Sequence, residues 1–218
     1  MKKVLVTLSV LFLITSTSFA QFSIGPRFGI NLSSVSDDPD YGSGVEQSSH
    51  FGLLFGAAAE IGIAGPMYAE VELLYIQKGE ELKGQDQLGQ PAEQIFTANY
   101  LEIPILVKAK FPLGPVSPYA FLGPNIGILL SANSEFTAAG QTQDTDIKDN
   151  MSSIDFALDF GAGVGFNVMP MMSLVFDVRY SLGLSDIVDP EQQPGQQVQE
   201  STEKTRGFQI MIGAMFGL

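Results

Sequence analysis

The 218-residue chain contains no cysteine. That excludes a disulfide framework, a lipid anchor on cysteine and any thiol chemistry. Histidine occurs once, as His50. Basic residues are scarce, with 11 Lys and Arg against 24 Asp and Glu and a formal net charge of −13. A chain this acidic makes nucleic acid an unsuitable partner. Beyond the N-terminal segment no run of about eighteen apolar residues occurs, so no spanning helix is expected. Phosphate-binding loops of the P-loop or dinucleotide type are also missing. The glycines fall instead at alternate positions in strand-like stretches, where they make room for packing.

Residues 1–20 have the layout of a secretory signal. Lys2 and Lys3 are basic, Val4 to Ile14 are mostly apolar, and Ser18-Phe19-Ala20 supplies small residues before a cleavage point at Gln21. The expected domains are therefore a signal peptide, 1–20, and one folded domain, 21–218.

That domain contains eight segments of period-two alternation, near 22–32, 50–62, 67–78, 96–111, 117–131, 153–168, 172–184 and 207–218. In the sixth, Ile154, Phe156, Leu158, Phe160, Val164, Phe166 and Val168 oppose Asp155, Asp159, Gly161, Gly163, Gly165 and Asn167. Period two marks a strand with different environments on its two faces. Short gaps (Gly65-Pro66, Pro112 to Pro115, Met169-Pro170) alternate with long ones near 33–49, 79–95, 132–152 and 185–206.

The expected fold class is all-β, an eight-stranded antiparallel up-and-down transmembrane β-barrel. Strands crossing a bilayer must close into a ring, because hydrocarbon offers no hydrogen-bond partners. The rival is a soluble lipocalin-like barrel with its apolar face inward. Its outer face would carry scattered Lys, Glu and Thr, whereas the polar face here carries Gly, Ser and a few charges of both signs. Such a face suits a crowded lumen. Tyr75 and Tyr180 toward one edge, and Phe22, Phe111 and Phe216 toward the other, are the expected interfacial girdles. The short gaps are expected in the periplasm and the long gaps outside the cell. The apolar end at Phe216 and Leu218 resembles a strand read by barrel-assembly machinery.

The charge is concentrated in the long gaps, which hold 17 acids against Lys83, Lys148, Lys204 and Arg206. Asp37-Asp38-Pro39-Asp40 and Asp144-Thr145-Asp146 place carboxylates near one another. They are expected to be solvated loops, with weak divalent-cation binding, surface partners or lipopolysaccharide phosphates as the functional alternative. The strands carry few charges. On the inner face, Arg27, Glu60, Glu70, Glu72 and Lys108 are expected low in the barrel, and Glu102, Asp159, Asp177 and Arg179 higher. Eight-stranded barrels have interiors that side chains just fill, so these charges are expected to pair as a plug; the alternative is a gated ion path.

Gly25-Pro26-Arg27-Phe28-Gly29-Ile30-Asn31, Tyr75-Ile76-Gln77-Lys78-Gly79, Tyr100-Leu101-Glu102-Ile103-Pro104, Pro118-Tyr119 with Gly123-Pro124, Asp177-Val178-Arg179-Tyr180 with Gly183-Leu184, and Gly207-Phe208-Gln209 occur in this order. Together they resemble the PorT-like outer membrane protein β-barrel domain family of Bacteroidota-type bacteria. The resemblance covers essentially all of 22–218. It implies a porin-like small barrel in a Gram-negative-type cell envelope, with no assigned biochemical activity for most members. No peptidoglycan-binding domain is expected after the last strand.

The leading expectation is a non-enzymatic, monomeric outer-membrane protein, embedded in lipid, with a structural or surface-interaction role. No cofactor or metal is expected. The alternatives are a narrow porin-like channel and a rim enzyme using His50 beside Ser48 and Ser49.

Overall fold

In a computed structural model of the chain, the residues described are 22–36, 46–85, 89–185 and 204–218. The expected signal segment and its cleavage point lie outside them. So do Asp37, Asp38 and Asp40.

The described strands are β1 (Phe22–Ser36), β2 (Glu46–Ala64), β3 (Met67–Gln85), β4 (Pro91–Lys110), β5 (Val116–Ala138), β6 (Gln141–Asp146), β7 (Ile154–Met169), β8 (Met172–Gly183) and β9 (Lys204–Gly217). A 3-10 turn, Lys148–Asn150, precedes β7. Every pairing is antiparallel. The order β4-β3-β2-β1-β9-β8-β7-β5, with β4 also paired to β5, closes eight strands into a barrel. The short strand β6 stands outside the ring, paired to β5 alone among the described strands.

Turn chemistry explains one end. Gly65-Pro66 and Gly114-Pro115 each place a glycine at positive φ, 55° and 72°, immediately before proline. Glycine first and a fixed negative φ second is the pattern of a II′ hairpin turn, whose twist matches that of the flanking strands. Phe22 and Leu218 both lie at this short-turn end, where Leu218 donates its backbone N–H to the carbonyl of Phe22 at 2.9 Å.

The faces separate as period two requires. Phe28, Leu53 and Phe51 are each 55% exposed on the outside, while Arg27 on the inner face is 0% exposed. A continuous outer band of Phe, Leu, Ile and Val is a large cost in water and suits hydrocarbon. Phe22, Phe111 and Phe216 are exposed at its short-turn edge. Tyr75, toward the other edge, donates to Asn99 Oδ1 at 2.8 Å.

The long gaps differ from the expectation of solvated loops. β3 and β4 continue as a paired ladder to Gln85↔Pro91, so much of the 79–95 gap is strand. β5 runs on to Ala138 and turns through Ala139 (φ 52°) and Gly140 (φ 75°) into β6. Two successive residues at positive φ make a type I′ turn, which lets a polar segment remain a hairpin. The alternation of apolar and polar residues fades because a polar residue such as Glu80 or Ser134 takes the buried position first and both faces meet water beyond them, so the hydrophobic signal disappears before the strand does.

Candidate functional site

The site is the barrel interior. At the short-turn end Glu60 receives Lys110 and Lys108, the latter at 3.3 Å. Lys108 also pairs with Glu70 at 2.9 Å, and its Nζ lies 4.2 Å from the Tyr119 ring centroid. Arg27 meets three carboxylates: Asp177 at 2.6 Å, Glu70 at 3.1 Å and Glu72 at 3.5 Å. Tyr119 donates its hydroxyl to Asp177 at 2.5 Å. The flanking strands make room for this large guanidinium, since the residues paired with Arg27 are Gly56 on β2 and Gly213 on β9. A Cβ at Gly213 would lie 2.9 Å from Arg27 Cδ.

Above this tier Arg179 pairs with Glu72 at 2.6 Å and Asp159 at 3.4 Å. Its neighbour on β7 is again a glycine, Gly161. Asn125 bridges two carboxylates by donating to Glu102 at 2.8 Å and to Asp159 at 3.1 Å. Lys78 completes the column with Glu102 at 2.7 Å and Asp155 at 3.1 Å. Thr205 and Ser185 donate to Asp155 at 3.2 Å and 2.7 Å. The groups form one connected chain from Lys110 to Asp155.

Seven carboxylates (Glu60, Glu70, Glu72, Glu102, Asp155, Asp159, Asp177) share five cations (Arg27, Lys78, Lys108, Lys110, Arg179). Burial alone would make each of these charges costly. Pairing and hydrogen bonds offset the desolvation, and losing one partner exposes that cost again. The remaining interior is filled by apolar groups. Leu54, Leu74, Ile76, Tyr100, Leu129 and Met211 pack together, and Ile147 and Met151 beside the 3-10 turn pack against them.

The nine charges singled out from the sequence are all buried and all belong to this network. Their expected heights need correction. Asp177 joins the lower tier through Arg27, and Arg179 reaches down to Glu72. Strand tilt and shear bring residues of different apparent height together. Sequence reasoning put Asp155 on the polar face without joining it to the charge set, and it left out Lys78, Lys110, Tyr119 and the bridging role of Asn125. Parity carried the signal, because Lys78 shares the face of Glu70 and Glu72, and Lys110 that of Lys108. It also missed the apolar part of the lumen, although Leu74 and Ile76 lie at the same parity as Lys78.

At the long-loop rim His50 Nδ1 lies 3.7 Å from Glu81. Among the described residues no hydroxyl of Ser48 or Ser49 bonds to the imidazole, so the relay of a nucleophilic triad is not assembled. Lys83 pairs with Glu93 at 3.2 Å and Glu81 at 3.4 Å. Hydrogen bonds that its ammonium donates, first to Glu93 and then to Glu81, hold it above the usual lysine range. Of the acidic pairs expected in the loops, Asp144 and Asp146 stand on β6. Among the described residues no group of His, Asp and Glu has the arrangement of a metal site.

The fold is shared with solved outer-membrane proteins. A major outer membrane protein from Thermus thermophilus is 17% identical, with 91% of this chain and 99% of that one covered and a TM-score of 0.55. OprG from Pseudomonas aeruginosa is 14% identical, with 91% and 96% covered and a TM-score of 0.51. No curated protein sequence matches the chain. The family model described as "Outer membrane protein beta-barrel domain" matches residues 19–189. A closed eight-stranded ring with its apolar side outward, together with that match over most of the chain, makes this protein a member of the outer membrane protein beta-barrel domain family.

Proposed function

We propose that this barrel is a plugged, non-enzymatic outer-membrane protein whose work is structural or lies in surface contacts. One observation carries the reading: the ion-pair column from Lys110 to Asp155 occupies the interior, and the apolar cluster around Tyr100 fills the space beside it. An interior of paired charges and packed side chains is a poor solute path.

The same reading places the short turns in the periplasm and the long-loop rim outside the cell. It takes residues 1–20 as a cleaved secretory signal, barrel-assembly machinery as the insertion partner and lipid as the solvent of the outer band. PorT-like kinship within a Gram-negative-type envelope belongs to this proposal, supported by the ordered segments from Gly25 to Gln209.

The test is conductance of the purified mature barrel in a planar bilayer. A silent trace is expected for the native protein. Reproducible steps would overturn the plug and favour a narrow channel. Hydrolytic or acyl-transfer activity that disappears in His50→Ala would overturn the non-enzymatic part.

A further inference from the structure

The extensions of β2, β3, β4 and β5, with β6, build a raised sheet above one side of the rim. Its last strand is β6, Gln141–Asp146, in which all six residues are exposed. Ladder geometry fixes which backbone groups are free. Ile147 donates to the carbonyl of Ala132, so Ala132 and Ile147 form a hydrogen-bonded pair. Counting back by twos, Thr145, Gln143 and Gln141 also turn their N–H and C=O toward β5. Thr142, Asp144 and Asp146 therefore turn theirs to the other edge, which no described strand pairs. Open edges of this kind invite another strand, and proteins usually blunt them with short length, with charge (lysine above all), with proline or with a bulge, so the two aspartates of β6 turn away acidic strands and leave the edge to a basic one. β6 has neither lysine nor proline.

The side chains specify what suits that edge. Glu135 and Asp144 stand directly opposite each other in a non-hydrogen-bonded pair, where side chains are closest. The neighbouring pair of the same type, Thr137 and Thr142, has its hydroxyl oxygens 2.9 Å apart. Like charges so placed destabilise a hairpin. Asp146 adds a third carboxylate on that face. The chain's own long gaps are unsuitable occupants, because residues 186–203 hold acids, prolines and no Arg, with no Lys before Lys204.

We infer that the β6 edge is a docking site for an extended segment of another protein, added as a strand and carrying Lys or Arg at positions i and i+2. Backbone bonds to Thr142, Asp144 and Asp146 hold the segment. Residues paired with Asp144 and Asp146 point to the same face as those carboxylates, so the two cations meet them and relieve the Glu135–Asp144 repulsion. The inference deepens the surface-interaction reading and rests on it, since the rim must face outward.

The experiment uses the mature barrel in zwitterionic lipid nanodiscs and fluorescence anisotropy with two labelled octapeptides. Both are Thr/Val-rich and carry two lysines, at i and i+2 in one and at i and i+1 in the other. The i, i+2 peptide is expected to bind at least about tenfold tighter, because only it places both charges on one face. Asp144→Asn with Asp146→Asn is expected to weaken it about fivefold or more. Asp144→Pro removes a donor that faces the open edge and no ladder bond to β5, so it is expected to abolish binding while the barrel keeps its heat-modifiable gel shift. Equal binding of the two peptides, or binding unchanged by Asp144→Pro, would overturn the inference. Binding seen only after residues 186–203 are shortened would also overturn it, by naming the chain itself as occupant. A silent bilayer with no peptide binding removes the docking edge and leaves the plugged barrel in place.

Discussion

Replacing Lys108 by alanine tests whether the interior charges bear on stability. Lys108 is 1% exposed and pairs with Glu70 at 2.9 Å and Glu60 at 3.3 Å. Deleting one partner of a buried pair costs about 3–5 kcal/mol, because the survivor is left uncompensated. Both survivors here keep a second cation, Glu70 through Arg27 at 3.1 Å and Glu60 through Lys110. The low end of the range, about 3 kcal/mol, is therefore expected. With a urea dependence of about 2 kcal/mol per molar, the unfolding midpoint should fall by about 1.5 M. Lys83→Ala is the control, since Lys83 is half exposed, its partners are open to water, and such pairs contribute little. A double variant, Lys108→Met with Glu70→Gln, removes the under-compensated carboxylate along with its partner and should regain about half of the loss or more. Urea titration of the heat-modifiable gel shift reads all three. Lys108→Ala and Lys83→Ala with the same midpoint, or a double variant no better than Lys108→Ala, would refute the reasoning.

The glycines of the lumen wall give a second test. A Cβ at Gly163 would fall against the Tyr119 ring and the Asp177 carboxylate, so Gly163→Val should break their bond at an overpacking cost of about 1–3 kcal/mol. Gly165→Ala, where the nearest atom lies 3.7 Å away, should leave the urea midpoint unchanged. His50→Ala should leave folding yield and bilayer silence as they are, because the imidazole joins no lumen pair among the described residues. The Lys83 ammonium, raised by Glu93 and Glu81, contributes what stability it has below the free lysine range and loses it as pH rises through its own elevated value. NMR of the Lys83 side chain should show it protonated where an isolated lysine has begun to titrate, and Glu93→Gln should bring the titration back toward the isolated value.

The barrel was legible where two solvents act on one strand. Between Phe22 and Leu32, hydrocarbon on one side and a packed lumen on the other impose period two, and the alternation names each face. Strand ends were less legible. Beyond Glu80 on β3 and Ser134 on β5 water lies on both sides, nothing imposes alternation, and β-structure continues under a polar, acidic sequence. The lumen charges could be assigned to the inner face by parity, but not to partners. Arg27 finds Asp177 on β8 and Glu70 on β3 because the strands are tilted and staggered, and a flat count from the turns carries no stagger. Lys110 escaped notice at a strand end, although its parity is that of Lys108.

The interior and rim charges are partnered in different ways. Inside, cations are spread so that every carboxylate in the network has a basic or amide partner, as when Asn125 ties Glu102 to Asp159. A distribution of that kind is self-contained and leaves little for a solute or ligand to bind. On the raised sheet the arrangement is the opposite. Lys83 answers Glu81 and Glu93, but among the described residues no cation pairs with the directly opposed Glu135 and Asp144 on β5 and β6. The low dielectric of the lumen makes unpaired charge there intolerable, whereas water at the rim screens it enough for the hairpin to survive. Charge left uncompensated where solvent tolerates it, beside backbone groups left unpaired, is the condition under which a second molecule can add free energy. In the docking we infer, recognition belongs to the outer edge, and the lumen supplies the rigid post that holds it.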